Sequence, residues 1–269
     1  MAKRRGKTSS RLGQSRDDML QKIIQKKEFS WLPKKDVETA FSHFEKRQTS
    51  DEEKVRLTRE LLHKVFGAFG SRKLLIPKKR TEEWILRKHL STRERLPYYR
   101  EIYERILRGL GKKISILDLG AGVNGFSYRY FREIGFDVNY TGFEATGQFV
   151  ESMNNYFKNN KIKAKALHLS LFQLGEIKKL IKKTERPRVI FLFKVLDSLE
   201  MLKRDCSKEL VSAISPAADR TIVSFATESM VKRKKFMAKR TWFLDFLKEN
   251  FSVLDDFEIG KERYLVFKK

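Results

Sequence analysis

The stretch Ser115–Phe131, SILDLGAGVNGFSYRYF, joins an apolar run to a loop that contains three glycines. The run is typical of a buried strand, and Gly120, Gly122 and Gly125 follow it in the spacing GxGxxG. Glycine reaches backbone conformations that side chains obstruct, and it lets a ligand approach the backbone closely. The loop is therefore either a simple turn that ends a strand or a binding loop, and the spacing alone does not decide between them.

The chain after Gly111 alternates between short apolar runs and helical stretches. The apolar runs are KISILDLG, NYTGFEA, KAKALHLS, RVIFLFKVL, RTIVSFA, FSVLDDFEI and RYLVFKK. Strands that alternate with helices predict a parallel α/β sheet. Only GKE separates the last two runs, which predicts a hairpin at the end of the sheet. This is the layout of a Rossmann-like class I methyltransferase sheet.

The first part of the chain has a different pattern, with apolar residues at helical spacing. Acidic residues open DDMLQKIIQKK, as helix N-termini prefer, and Ser50 is placed as the N-cap of a later helix. The first residues are basic and almost free of apolar side chains, so we expect them to be disordered or ordered only on RNA. The sequence predicts a basic tail over 1–16, an all-helical RNA-recognition domain over 17–110 and a cofactor-binding α/β domain over 111–269.

Composition limits the possible partners. The 269 residues carry a formal net charge of +25, and the basic excess is spread over both halves. A globular protein this basic is typical of polyanion binders, and nucleic acid fits better than a membrane surface; plain solubility is the alternative. Cys206 is the only cysteine, which excludes an intrachain disulfide and cysteine-based zinc sites. No run approaches the ~20 apolar residues of a membrane span, and no secretory signal opens the chain, so we expect a cytoplasmic protein without a metal site.

Two acidic residues favour S-adenosylmethionine as the ligand of the glycine loop, which we assign to Gly120, Ala121 and Gly122. Asp118 precedes the loop, where a carboxylate can orient it and attract the cationic methionine end, but would repel a pyrophosphate. Glu144 ends the second predicted strand and can accept both ribose hydroxyls with its two oxygens. Dinucleotide sites use the same acid, so Glu144 indicates a nucleoside cofactor without choosing between them.

The ends of the third and fourth strands supply further candidates. Ser170 stands where many methyltransferases carry an aspartate for the adenine amino group, and Leu171 beside it offers apolar packing. At the end of the fourth strand we expect Phe193 to contact the cofactor and Lys194 to contact RNA; a solvated strand end is the alternative for the lysine. The chain lacks the D/N-P-P-Y/F motif here, which argues against an enzyme that methylates adenine N6 or cytosine N4.

Several segments together resemble one enzyme family. Residues 84–107, WILRKHLSTRERLPYYREIYERIL, contain H-x-S-T-x-E-R, and they accompany ILDLGAGVNGF, FLFKVLDSLE and RTIVSFATESMVKRKKFM. In this combination the chain resembles, over roughly residues 50–269, the aminoglycoside-resistance 16S ribosomal RNA methyltransferases that modify guanine N7. The resemblance implies a helical domain that recognises the small ribosomal subunit, joined to a domain that binds S-adenosylmethionine.

The resemblance also implies roles for the H-x-S-T-x-E-R segment. It places His89, Ser91 and Arg95 near the methionine part of the cofactor, with Leu90 in the same site. A guanidinium suits this position because it can hold a carboxylate bidentately. On periodicity alone, the charges around Arg93 would be read as local pairs on a helix surface.

The chain departs from the family pattern in several places. Glu144 stands where the family usually has aspartate, Ser170 where it has an acid, and Ala226 where it commonly has proline. The loop VKRKKFMAKR is lysine-rich where the family is richer in glycine. We expect RNA contacts from this loop, with basic side chains on phosphates and a methionine beside a flipped base. The residues concerned are Lys232, Arg233, Lys234, Lys235, Met237, Lys239 and Arg240.

Guanine N7 carries a lone pair and no proton, so its methylation needs no general base. We therefore expect no catalytic side chain and catalysis by proximity alone. The predicted function is S-adenosylmethionine-dependent methylation of a guanine N7 in ribosomal RNA of the assembled small subunit, by a monomer. The alternatives are a methyltransferase that acts on another structured RNA or on a protein, and a non-catalytic ribosome-binding protein with a methyltransferase fold.

Overall fold

A computed structural model describes residues 16–76, 80–228 and 240–269 of the chain. Its centre is a seven-stranded sheet in the order β3-β2-β1-β4-β5-β7-β6. The strands are β1 Lys113–Leu119, β2 Asp137–Glu144, β3 Ala164–His168, β4 Arg188–Phe193, β5 Arg220–Ala226, β6 Ser252–Ile259 and β7 Glu262–Lys268. The first five strands pair in parallel, whereas β7 is antiparallel to both β5 and β6. The predicted parallel sheet with a terminal hairpin is thus confirmed.

The central strands are apolar on both faces because helices cover the sheet on both sides. In β4, Val189, Phe191 and Phe193 belong to one hydrophobic core, and Ile190 and Leu192 belong to the other. Successive side chains of a strand point to opposite faces, so a doubly covered strand requires an unbroken apolar run. Phe193 is the last residue of this run, which places it at the carboxyl edge of the sheet.

The chain before the sheet is helical in its described residues, as predicted. Residues 16–24 form a helical segment. The helices that follow are α1 Lys34–Ser42, α2 Asp51–Leu62, α3 Glu82–Lys88, α4 Leu90–Arg95 and α5 Tyr99–Ile106. The predicted N-cap of α2 is confirmed, because the Ser50 hydroxyl accepts a hydrogen bond from the Glu53 N–H at 3.2 Å.

These helices belong to two different cores. Ile23, Phe41 and Leu62 lie in a core of the first helices, which also takes in Leu202 from the α/β part. Helices α3 to α5 instead contribute to the core on one face of the sheet, with Tyr103 of α5 fully buried there. The boundary between the two cores therefore lies before residue 82 and not at Leu110, although the described helices continue to Ile106.

The remaining helices alternate with the strands. They are α6 Arg129–Glu133, α7 Gly147–Asn159, α8 Leu174–Lys183, α9 Leu196–Leu202, α10 Cys206–Ile214 and α11 Thr241–Asn250. The stretch LEMLKRDCSKELVSAI, predicted as one helical stretch, forms two helices because Asp205 takes a left-handed φ of +60° between them. Within the described ranges, no helix combines the length and the apolar character that a membrane crossing requires.

Candidate functional site

The glycine loop leaves β1 in a conformation that glycine adopts readily. Gly120 has φ +75° and Gly122 has φ +55°, both in the left-handed region. The N–H groups of Gly120 and Ala121 donate to the carbonyl oxygen of Phe143 on β2, at 2.9 and 3.0 Å. A Cβ on Gly120 would lie 2.5 Å from Cγ2 of Val195. Glycine is therefore required here both by the backbone and by the space beside it.

Glu144, at the end of β2, holds this loop through its carboxylate. Oε2 accepts a hydrogen bond from the Gly122 N–H at 2.8 Å, and Oε1 accepts one from the Thr146 N–H at 2.7 Å. Burial raises the pKa of Glu144, while these backbone hydrogen bonds lower it. Each carboxylate oxygen can accept more than one hydrogen bond, so both retain capacity for a ligand hydroxyl.

Asp118 lies behind the loop at the end of β1 and is 1% exposed. Its Oδ2 accepts hydrogen bonds from Asn124 Nδ2 and from the Tyr140 hydroxyl, each at 2.7 Å. Its Oδ1 has no hydrogen-bond partner within the described part of the chain. Burial raises the pKa of Asp118. The carboxylate thus orients the loop through Asn124, which is one of the two roles that the sequence predicts for it.

The H-x-S-T-x-E-R segment spans a break between two helices. Helix α3 ends before His89, which has extended backbone dihedral angles and pairs with Gly70 in an isolated β-bridge, and α4 begins at Leu90. The His89 ring packs over the glycine loop, where a Cβ on Gly122 would lie 2.9 Å from Nε2. The Ser91 hydroxyl lies 3.3 Å from His89 Nδ1. Burial, aided by two nearby cations, lowers the pKa of His89 to about 3, so the imidazole is neutral.

Arg95 is the last residue of α4 and is buried, at 3% exposure. Its Nη1 donates to Asn124 Oδ1 at 2.9 Å, and its Nε donates to Glu262 Oε2 at 3.3 Å. The guanidinium also lies 4.9 Å from the centre of the Phe193 ring. The resemblance predicts a cofactor contact for Arg95, but here its hydrogen bonds go to protein groups.

Lys194, which the sequence predicts as an RNA contact, is buried in an ion-pair cluster. Its Nζ lies 2.6 Å from Glu94 Oε2 and 3.1 Å from Glu262 Oε2, and the residue is 9% exposed. The Ser224 hydroxyl donates to the other oxygen of Glu262. The difference arises because β7 brings Glu262 against the end of β4, where its carboxylate neutralises a lysine that would otherwise reach solvent.

A crevice lies at the carboxyl ends of β1, β2 and β4, and several predicted cofactor residues line it. They are His89, Ser91, Gly120, Gly122, Glu144, Leu171 and Phe193, and Lys194 joins them. Leu90 lies outside this crevice and lines the neighbouring cleft described below. The crevice has a volume of about 80 Å³.

Asp36 also lines the crevice, and sequence reasoning missed it. It lies on α1, is 2% exposed, and accepts a hydrogen bond on Oδ1 from the hydroxyl of Ser170 at 3.0 Å. Its pKa is raised to about 7, chiefly by burial and also by the nearby Glu144, against the opposing effect of the hydrogen bond from Ser170. In the sequence, Asp36 looks like an ordinary acidic residue in the first turn of a helix, so no local signal identifies it.

A much larger cleft of about 800 Å³ adjoins the crevice. Trp242 and Met201 line it and are 39% and 41% exposed. The Lys208 Nζ lies 5.3 Å from the centre of the Trp242 ring. Arg240, one of the predicted RNA contacts, also lines the cleft, but its guanidinium binds Asp197 with two hydrogen bonds of 2.6 and 3.0 Å. The other predicted contacts in its loop lie outside the described residues: Lys232, Arg233, Lys234, Lys235, Met237 and Lys239.

The sequence profile of the FmrO family, described as ribosomal RNA methyltransferases, matches residues 78–255. This span begins with the H-x-S-T-x-E-R segment and includes the glycine loop, Glu144 and the strands that carry the crevice. This chain belongs to the FmrO family of ribosomal RNA methyltransferases. The family that the sequence motifs resemble is thereby confirmed.

Relatives of this FmrO-family chain differ in how much of it they cover. The 16S rRNA (guanine(1405)-N(7))-methyltransferase of Proteus mirabilis is 30% identical over 144 residues, which cover 44% of this chain. The chain spans about half the length of that curated relative in this match, 50%.

Solved structures match over nearly the whole chain. The 16S rRNA methyltransferase RmtF in complex with S-adenosyl-L-homocysteine has a TM-score of 0.75 at 23% identity, and covers 94% of this chain and 98% of its own. The 16S rRNA methylase RmtB has a TM-score of 0.74 at 21% identity, and covers 94% and 98%. At these identities the structures establish the fold, which is that of the class I methyltransferases.

Proposed function

We propose that this FmrO-family protein transfers a methyl group from S-adenosylmethionine to N7 of a guanine in small-subunit ribosomal RNA. One observation carries the proposal: the crevice beside the glycine loop and the large cleft share part of their walls. A cofactor bound in the crevice with its methionine end toward these shared residues would lie next to a base held in the cleft. The shared residues are Phe69, Ser91, Lys194 and Ser198.

The residues of the crevice fit the proposed cofactor. The loop from Gly120 to Gly122 exposes backbone where a Cβ would intrude, which suits a ligand lying against it. Glu144 faces the crevice with spare acceptor capacity on both oxygens, as ribose hydroxyls require. Leu171 and Leu199 supply apolar walls for a purine face. The bound cofactor supplies an electrophilic methyl group; everything else is done by the chain.

The crevice volume of about 80 Å³ is well below the ~300–1,000 Å³ of typical ligand pockets. Cofactor entry therefore requires side chains over the loop to rotate. Val195 is placed to do so, because its Cγ2 occupies the space directly beside Gly120. Phe193 and Leu171 form more rigid walls, being 5% and 9% exposed within the two cores of the sheet.

The chain's part in the chemistry is to hold the two reactants in line and to exclude water. Guanine N7 attacks with its own lone pair, so no side chain has to remove a proton. His89, the imidazole beside the glycine loop, is neutral and adds no positive charge near a cationic cofactor. Alignment of bound reactants can supply ~7–11 kcal/mol of the activation barrier, which is a large share of what an enzyme needs.

The cleft supplies the RNA side of the proposal. Trp242 is an exposed aromatic surface at its wall, and stacking of a base on an aromatic side chain contributes ~1–3 kcal/mol. The chain as a whole carries a formal net charge of +25, which favours a polyanionic partner. We propose the assembled small subunit as the substrate, a monomer as the active form, and the cytoplasm as the place of action, since ribosomes are there.

Mapping the methylated nucleotide tests this function. Purified small subunits, naked 16S rRNA and large subunits are each incubated with the protein and S-adenosylmethionine. The RNA is then cleaved chemically at 7-methylguanosine and mapped by primer extension. We expect one new stop in small subunits, at guanine 1405, the position that the name of the Proteus mirabilis relative specifies.

The substrate arms separate the alternatives. A stop only in large-subunit RNA, or methyl incorporation without 7-methylguanosine, would identify a different RNA methyltransferase. Absence of any incorporation in all arms, together with no calorimetric binding of S-adenosylhomocysteine at millimolar concentration, would leave a ribosome-binding protein without enzymatic activity.

A further inference from the structure

Asp36 carries a buried carboxylate oxygen that the protein itself leaves unpaired. The residue is 2% exposed and lines the crevice, and its Oδ2 has no hydrogen-bond partner anywhere in residues 16–76, 80–228 and 240–269. Leaving a buried polar atom unpaired costs ~1–3 kcal/mol. Such an atom in the wall of a binding crevice indicates a ligand that carries a hydrogen-bond donor.

The other oxygen of Asp36 fixes the direction of the side chain. Oδ1 accepts the Ser170 hydroxyl at 3.0 Å, and the same hydroxyl oxygen accepts the Phe172 N–H at 3.1 Å. Ser170 follows β3, at the position where an acidic residue would face the adenine of a class I methyltransferase cofactor. Here a serine occupies this position, and its hydroxyl holds the carboxylate of Asp36 in place.

The surroundings of Asp36 suit the edge of a purine. Leu171, Val195 and Leu199 line the same crevice with apolar surface, and Glu144 lies close enough to raise the pKa of Asp36 electrostatically. If Glu144 holds the ribose, the base lies beyond it, between these apolar side chains and Asp36. The exocyclic amino group of adenine is the donor that such a base offers.

We propose that Asp36 is the adenine-recognition residue of this protein, with Oδ2 accepting a hydrogen bond from the 6-amino group of the cofactor. This inference rests on the proposed cofactor. It assigns a specificity-determining contact to α1, which belongs to the core of the N-terminal helices and not to the α/β part. The N-terminal helices then complete the cofactor site as well as any surface they offer to RNA.

Calorimetry with two ligands tests the contact. S-adenosylhomocysteine is compared with its analogue in which hydrogen replaces the 6-amino group, on wild-type protein and on Asp36→Leu, which has no acceptor at this position, whereas an asparagine amide oxygen could still accept the hydrogen bond. The measurements are made at pH 8, above the pKa of about 7 of this carboxyl. A hydrogen bond to a charged group corresponds to ~10- to 100-fold in affinity. We expect wild type to prefer the amino ligand by this factor and the variant to prefer it by less than about threefold.

Two further variants separate recognition from general damage. Glu38→Gln changes an acidic residue on the same helix that lies outside the crevice, and it should retain the wild-type preference. Ser170→Ala removes the group that orients Asp36 and should lower the preference partially.

The outcomes distinguish this inference from the proposed function. Wild-type protein that binds both ligands equally well would keep the cofactor site and overturn the role of Asp36. An Asp36→Leu variant with the full wild-type preference would do the same. Wild-type protein that binds neither ligand would overturn the cofactor site, and the role of Asp36 with it.

Discussion

Replacement of Glu262 by glutamine should destabilise the protein severely, although Glu262 has no partner nearby in sequence. Its side chain is 2% exposed and lies between Arg95 Nε at 3.3 Å and Lys194 Nζ at 3.1 Å. At an effective dielectric constant of ~20, each of these contacts corresponds to ~5 kcal/mol of Coulomb attraction before desolvation is subtracted. Glutamine keeps the shape but leaves two buried cations with Glu94 as their remaining acidic partner in the cluster.

Breaking a buried ion pair on one side typically costs ~3–5 kcal/mol, and we expect a loss of that size for Glu262→Gln. Urea denaturation measures it without screening the charges. Glu258→Gln is the matched control, because Glu258 is exposed on the neighbouring strand, and it should change the free energy of unfolding by less than ~0.5 kcal/mol. The Glu262→Gln/Lys194→Met double variant should be more stable than Glu262→Gln, since it removes one of the two buried cations that Glu262 neutralises. A loss below ~1 kcal/mol for Glu262→Gln would refute the ion-pair cluster.

Three further predictions follow from the crevice and the cleft. Gly120→Ala should lower affinity for S-adenosylhomocysteine more than ~10-fold by calorimetry, because Gly120 lines the crevice at φ +75°, where an added Cβ strains the loop and takes up space beside Val195. Gly109→Ala, with a similar φ of +80° and open space around it, should lose only ~1–2 kcal/mol of stability and no affinity. The pKa of Asp36 is about 7 in the folded protein, against an ordinary value of 3.8. Between these pH values the folded state holds a proton that the unfolded chain releases, so the free energy of unfolding falls as pH rises from 4 to 7, by up to ~4 kcal/mol. Urea denaturation should show the stability of Asp36→Asn relative to wild type rising by that amount between pH 4 and pH 8, and a flat difference would contradict the buried carboxyl. Trp242→Ala should weaken methylation of small subunits ~5- to 100-fold through a higher KM, while affinity for S-adenosylhomocysteine stays within about twofold. Trp31 is also exposed but lies outside the cleft, and an equal loss for Trp31→Ala would argue against base stacking.

The parts of the site that local pattern determines could be predicted from the sequence. The glycine loop follows an apolar strand directly, and Glu144 ends the next strand, so their meeting at one edge of a parallel sheet follows from topology. The apolar run RVIFLFKVL likewise predicted a fourth strand that ends near Phe193. In these cases the residues that matter lie within one element or at the same end of adjacent strands.

Contacts between distant parts of the chain could not be predicted in this way. Ser170 and Asp36 are 134 residues apart, and Arg95 and Glu262 are 167 residues apart. The resemblance predicts a cofactor contact for Arg95, and the end of the fourth strand predicts an RNA contact for Lys194. Neither prediction indicates that the antiparallel strand β7 places a carboxylate between the two side chains, because no periodicity connects a residue to the partner that neutralises it.

The N-terminal helices and the cleft are linked through one helix of the α/β part. Leu202 of α9 packs into the core of the N-terminal helices, and the Leu202 carbonyl lies 2.7 Å from His43 Nε2. Ser198 and Met201 on the same helix line the cleft, and Ser198 also lines the crevice. With Asp36 in the crevice wall, the helical part thus touches the crevice directly and the cleft through α9. If RNA binding displaced the N-terminal helices, it would change the crevice and the cleft together. By reciprocity, cofactor binding would then favour the arrangement of the helices that binds RNA.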